Sequence, residues 1–149
     1  MSENLRELYQ SVIVDHGRHP RNFGSLACPC LAGEGFNALC GDRIYLQLVV
    51  KNDAIENAQF CGEGCAISVA SASLMTEVLR GKKVPEAKAL FAEFHALVTG
   101  GVSSAQLGKL AVFAGVREFP ARVKCATLAW HTLLSALAGE KNSISTENA

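Results

Sequence analysis

The sequence has no run of apolar residues that approaches the ~18 consecutive positions a membrane-spanning helix needs. It also lacks a charge excess. Fourteen Lys and Arg cancel fourteen Asp and Glu, which removes the electrostatic case for a nucleic acid or an anionic membrane surface as partner. No Cys-x-x-Cys is present, which argues against thioredoxin-like exchange. A zinc hydrolase is equally poor, because no His-rich triad with an adjacent general base is visible. The first ten residues, from Met1 to Gln10, are polar and cannot form the apolar core of a signal peptide, so the expected location is cytoplasmic. Charged residues make up only 19% against 49% apolar, a balance that suits one folded domain with a sizeable core.

What the chain does have is six cysteines. In a reducing compartment that number points to metal binding or thiol chemistry rather than to disulfides. The spacings match no familiar zinc module. Cys28-Pro29-Cys30 is too tight, and Cys61 and Cys65 are four apart with no second close pair.

Periodicity gives an α+β order of elements. Residues 4–16 place Leu5, Leu8, Val12, Tyr9 and Ile13 in an apolar helical stripe. The breakers that follow, Gly17 to Gly24, end that helix, and His16 and His19 are read as solvated helix-end residues rather than ligands. Residues 33–43 read as a glycine-bordered loop. Over 43–51 the period changes to two, with Ile44, Leu46, Leu48 and Val50 on one face; residues 55–61 return as the second strand of a hairpin. A helix is expected over 65–79 with Gly81 as its stop. A second runs from Val84-Pro85-Glu86 to Gly100-Gly101, with His95 as a surface or packing residue. Ser103 or Ser104 caps a shorter helix through Leu107, Leu110, Ala111 and Ala114. The last starts at Pro120 and runs to about Ala138, with Val123, Trp130, Leu133, Leu134 and Leu137 as its core side. The polar stretch 140–149, like residues 1–3, is expected to be flexible.

The candidate site is drawn from several elements. Cys40 and Asp42 are two apart, so in an extended chain both point the same way, with Gly41 leaving room for the backbone to bend. Cys65 falls at a helix start, where free amides and the helix dipole favour a thiolate. Cys125 lies in the second turn of the last helix. Three thiolates and one carboxylate suit a tetrahedral zinc site. By spacing alone, Cys61 or the Cys28/Cys30 pair stand as substitutes.

Longer motifs surround these residues: Asn37-Ala38-Leu39-Cys40-Gly41-Asp42-Arg43-Ile44, Gly62-Glu63-Gly64-Cys65-Ala66-Ile67-Ser68, Ala70-Ser71-Ala72-Ser73, and Arg122-Val123-Lys124-Cys125-Ala126-Thr127-Leu128-Ala129-Trp130. Together with Leu8-Tyr9-Gln10-Ser11-Val12-Ile13-Val14-Asp15-His16 and Pro20-Arg21-Asn22, they resemble the IscU/SufU (NifU N-terminal-like) iron–sulfur cluster assembly family over residues 8–137. The SufU branch is the more similar. Sixty positions separate Cys65 from Cys125, which fits an extra segment within 84–101, and Lys124 stands where the scaffold branch carries His. The sequence departs from the family at Ala38, usually Pro, and at Cys61, commonly acidic, while Cys28 and Cys30 have no counterpart. These three cysteines are read as idle thiols, ahead of a second sulfur-carrying set or a redox pair that modulates the site.

The resemblance implies a single domain over 1–149 with a small antiparallel sheet packed against several helices. It implies zinc held by Cys40, Asp42, Cys65 and Cys125, and a Cys40 that accepts persulfide sulfur from a SufS-type cysteine desulfurase for the iron–sulfur assembly machinery. Such a protein is a sulfurtransferase-like partner of the desulfurase rather than a stand-alone enzyme. The alternative the resemblance leaves open is a scaffold on which a transient iron–sulfur cluster is built.

Overall fold

The computed structural model describes residues 3–27, 31–101, 105–139 and 144–145. Helix α1 (Glu3–Arg18) is followed by β1 (Leu31–Asn37), β2 (Asp42–Lys51) and β3 (Ala54–Glu63), then by α2 (Ala66–Leu79) and α3 (Val84–Val98). A 3-10 segment (Ala105–Glu118), α4 (Pro120–Leu137) and a two-residue β4 (Ile144–Ser145) complete the order. The sheet runs β3-β2-β1-β4. The first three strands form an antiparallel meander, whereas β4 lies parallel to β1, so the sheet is mixed.

The two-residue alternation seen in the sequence is what builds β2. Asp42, Ile44, Leu46 and Leu48 are buried, and Arg43 and Tyr45 point to the other face. The stretch read as a loop from residue 33 is a strand as far as Asn37, paired in register so that Asn37 faces Asp42. Its glycine-rich sequence, Leu31-Ala32-Gly33-Glu34-Gly35-Phe36-Asn37, hides this strand because glycine is a poor strand former. The glycines serve packing: a Cβ on Gly35 would overlap Thr132 Oγ1, and one on Gly33 would fall 2.9 Å from the Thr132 carbonyl oxygen. The missing side chains let α4 lie directly against β1.

Helix α2 is buried on almost every side, between α1, α4 and the sheet. Its many small residues allow that close approach. Ser71 and Ser73 bond to neighbouring elements, whereas Ser68 Oγ is buried without a partner among the described residues. Ser71 Oγ donates to the Ala126 carbonyl at 2.6 Å and accepts from Trp130 Nε1 at 3.2 Å. Trp130 stacks on Phe94 of α3 with ring centroids 4.8 Å apart, which ties α3 to the core. The stretch 105–118 is a 3-10 segment kinked at Gly108 rather than the short α-helix expected, and its proposed caps, Ser103 and Ser104, lie outside the described residues. The expected flexible tail likewise lies outside them, apart from Ile144 and Ser145, which pair with Gly35 and Phe36.

His16 differs from its sequence reading. It is 4% exposed, not solvated. Its Nδ1 lies 2.7 Å from Ser73 Oγ and its Nε2 lies 3.7 Å from Glu77 Oε1, and burial pushes the imidazole pKa down, so it sits neutral between them. Ser73 Oγ also accepts the Arg21 amide at 2.8 Å, and Asn22 Nδ2 donates to Thr76 Oγ1, so the chain after α1 is fastened to α2. His16 extends the Tyr9, Val12, Ile13 stripe at helical spacing, which is why it faces inward. Leu8, assigned to the stripe, is 58% exposed.

Replacing Gly35 by Ala should lower the urea midpoint by an amount equal to about 1–3 kcal/mol, because the new methyl meets Thr132 with no room to give. An unchanged midpoint would show that β1 and α4 are not in contact there.

Candidate metal centre

Four elements meet at one end of the sheet. The turn between β1 and β2 carries Cys40, and β2 opens with Asp42. Cys65 is the residue before α2 and serves as its N-cap, one position earlier than a first-turn residue. Cys125 is in the second turn of α4. Ligand atoms of Cys40, Asp42 and Cys125 all lie within 4.8 Å of one another. Cys40 and Cys125 are 3.2 Å apart, sulfur to sulfur.

Cys65 stands beside this trio. Its Sγ is 4.0 Å from Asp42 Oδ2, and its backbone N–H donates to Asp42 Oδ1 at 2.8 Å. The approach depends on Gly64. That residue has φ +152°, and a Cβ there would sit 2.9 Å from the Asp42 Cα. Only glycine takes both that backbone conformation and that proximity without strain.

Asp42 is 1% exposed, Cys125 is fully buried, and Cys40 is half-buried with Leu39 beside it 65% exposed. The carboxylate is held on both oxygens, since Asn37 Nδ2 donates to Oδ2 at 3.3 Å. The same nitrogen lies 3.5 Å from Cys125 Sγ. On the open side Arg122 Nη1 is 3.9 Å from Cys40 Sγ. Next to Arg122 an apolar groove of about 290 Å³, lined by Tyr9, Ile13, Ile67, Val116 and Phe119, runs between α1 and the 3-10 segment.

The Cys125 thiol is the hub of the group. Its Sγ faces Cys40 at 3.2 Å and the Ala121 carbonyl at 3.6 Å. Interaction with Cys65, burial, and the nearby Cys40 and Asp42 push its pKa far up. The same interaction, a hydrogen bond from Cys125, leads the effects that lower the Cys65 thiol from 9.0 to about 6. The backbone amides of Ser68 and Ile67 help, while burial and the Asp42 charge oppose. A metal binding here would take up these thiols as thiolates and release their protons. Two thiolates on one zinc sit about 3.8 Å apart, from the usual Zn–S length in a tetrahedron. The Cys40–Cys125 pair needs only a small spread to reach that distance. A sulfur-rich set with one carboxylate favours zinc or iron over hard cations.

The remaining candidates do not join. Cys61 sits on β3 opposite Tyr45, on the face of the sheet away from Asp42. Cys28 and Cys30 lie outside the described residues. His16 is committed to Ser73, and His19 is exposed. His95 is exposed and packs by its ring on Phe91 and His131. Two residues around the site escaped the sequence reading. Arg122 is three before Cys125, a spacing that puts both on one helix face. Asn37 was hidden because its strand was read as loop.

The profile of the NifU-like N terminal domain matches residues 8–126. The chain belongs to that family. It is 42% identical over 140 residues to the zinc-dependent sulfurtransferase SufU of Bacillus subtilis, covering 93% of this chain and 95% of that protein. It is 41% identical over 141 residues to the iron–sulfur cluster assembly scaffold protein IscU of Streptococcus pyogenes, covering 93% and 88%. The FiSufU crystal structure from Fervidobacterium islandicum superposes with a TM-score of 0.83 at 33% identity, over 89% of this chain and 98% of that one. No helix among the described residues is long and apolar enough to cross a membrane.

In metal-free, reduced protein, alkylation of Cys65 should rise as the pH passes about 6, since the thiolate is the reactive form and lies above its pKa. Substituting Cys125→Ala removes the hydrogen bond that lowers this thiol and should move the midpoint up. Mass mapping of iodoacetamide adducts against pH reads both, and an unmoved midpoint would remove Cys125 as the cause.

Proposed function

We propose that this chain is a zinc-dependent sulfur acceptor that takes persulfide sulfur from a cysteine desulfurase for iron–sulfur cluster assembly. The observation that carries the reading is the meeting of Cys40, Asp42 and Cys125 within 4.8 Å, with Cys65 against the same carboxylate. The names of its SufU and IscU relatives support the pathway. Cys40, Asp42, Cys65 and Cys125 would hold the zinc, which, when bound, keeps their thiols deprotonated at neutral pH.

The division of labour among the sulfurs follows from where each is anchored. Cys125 is fully buried in α4 and Cys65 caps α2, so both suit a permanent grip. Cys40 rides on a turn whose next residue, Gly41, has φ +70°, so it is the thiol with the fewest restraints. The Cys40 thiolate attacks the outer sulfur of the partner's persulfide. A new S–S bond forms at Cys40 while the partner's S–S bond breaks, and the partner's thiolate leaves with the electron pair. No net oxidation occurs, and the persulfide proton travels with the transferred sulfur. The Arg122 guanidinium lies near Cys40 Sγ, on the side from which a partner would approach. Exposed Leu39 and Phe119, 65% and 59% accessible, border Cys40 and Arg122 and offer a partner an apolar landing.

The cluster-scaffold reading uses the same ligands, and the IscU names of relatives 41% and 37% identical favour it. Protein purified without oxygen separates the two. On the acceptor reading it carries one tightly bound zinc and raises desulfurase turnover, and Cys40→Ala keeps its fold but loses sulfur acceptance to background. A labile brown cluster with no stimulation would instead establish the scaffold, and unchanged stimulation by Cys40→Ala would remove Cys40 from the transfer.

A further inference from the structure

Asn37 is the last residue of β1 and pairs directly with Asp42, the first of β2, so the two side chains leave the sheet on one face. It has no solvent exposure. Its single amide nitrogen reaches two ligand candidates from different elements, Asp42 Oδ2 at 3.3 Å and Cys125 Sγ at 3.5 Å. An amide nitrogen has two hydrogens, one for each. The other end of the side chain gains nothing, because Oδ1 is buried without a hydrogen-bond partner. A buried amide that leaves its oxygen unsatisfied to aim its nitrogen at a carboxylate and a thiol is placed for those two groups. The reverse orientation would set an oxygen against two groups that become anions when a metal binds.

We propose that Asn37 is a positioning residue of the metal centre, tying the ligand on the β1–β2 hairpin to the ligand on α4. The inference rests on the ligand set proposed above. Asp42 receives its other hydrogen bond from the Cys65 amide, so one carboxylate and one carboxamide link the hairpin to both helix-borne thiols. Asp42, Cys65 and Cys125 thereby form a set held together by hydrogen bonds that do not involve Cys40. That set keeps its geometry when Cys40 is engaged with sulfur.

Cobalt(II) is the probe, because thiolate-to-cobalt charge-transfer bands report directly on the sulfurs. The full chain, stripped of metal and reduced, is loaded with cobalt and titrated with a chelator. Asn37→Ala is expected to shift the charge-transfer bands and to weaken cobalt retention by about 10–100-fold, the usual effect of losing a residue that orients ligands. Asn37→Asp keeps the shape but replaces the donor by an acceptor beside Asp42, so it should retain cobalt less well than the alanine variant. A purely packing role gives the opposite order, since Ala leaves a hole and Asp does not. Bands and retention that match wild type in both variants, or Asp outperforming Ala, overturn the proposal. If Ala fails to fold, the Asp variant decides it alone. Wild type that takes up cobalt without thiolate bands overturns the ligand reading itself, a result distinct from unaltered bands in the variants.

Discussion

The contact on which the site depends is the bare face of β1 against α4. Cys125 is 85 residues from Cys40 in the chain, yet their sulfurs lie 3.2 Å apart. Nothing in either local sequence brings them together. What does so is the absence of side chains at Gly33 and Gly35, which lets the helix backbone at Thr132 settle on the strand. Thr132 is two turns after Cys125, so the depth at which the helix seats on β1 sets where its early turns fall. Trp130, buried between those points and stacked on Phe94, fixes the rotation of α4 about its axis. The core is therefore also the jig for the candidate metal site.

A second contact brings in α2. The Asp42 carboxylate accepts the Cys65 amide, and that amide is one of the unpaired donors at the start of a helix. The bond serves two ends: it satisfies a donor the helix leaves free and delivers a thiol to the carboxylate. Gly64 makes the approach possible. The helix gains an anion at its positive end, and a side chain buried at 1% exposure gains the hydrogen bonds that a buried charge requires. These are local rules of helix capping and charge burial, and in satisfying them the chain assembles the candidate ligand group.

Much of this could be read from the residues. The alternation Ile44, Leu46, Leu48 and the helical spacings of Leu90, Phe94 and Leu97 or Trp130 and Leu133 depend on burial, and burial is written in polarity. Cys65 at a helix start followed from its glycines and the small apolar residues after it. What stayed hidden was set by pairing between distant segments. Strand β1 carries too many glycines to look like a strand, although those glycines are why it can be covered by α4. Asn37 gains its meaning only from facing Asp42 across the hairpin, and His16 only from meeting Ser73, 57 residues later. The proposed ligand set itself came from motif resemblance, since spacing left Cys61 and the Cys28/Cys30 pair in contention; pairing of β3 then turns Cys61 away.

The same geometry bears on how, in the proposed function, one set of sulfurs would both keep a metal and move cargo. A cage of four equally rigid thiolates would retain its ion and transfer nothing, because a metal-bound thiolate has its lone pairs engaged. Here the restraints are unequal. Cys125 sits on a helix packed over most of its length, Cys65 on a helix cap bonded through its amide, and Asp42 between two donors. Cys40 meets the Cys125 sulfur and a distant guanidinium, but it rides on a turn whose next residue is a left-handed glycine. The free energy needed to lift Cys40 from the group is confined to its own bond and a few turn dihedrals, whereas lifting any other ligand disturbs the sheet or a helix. In the proposed reaction that asymmetry selects the thiol that reacts, without a separate base or a moving lid.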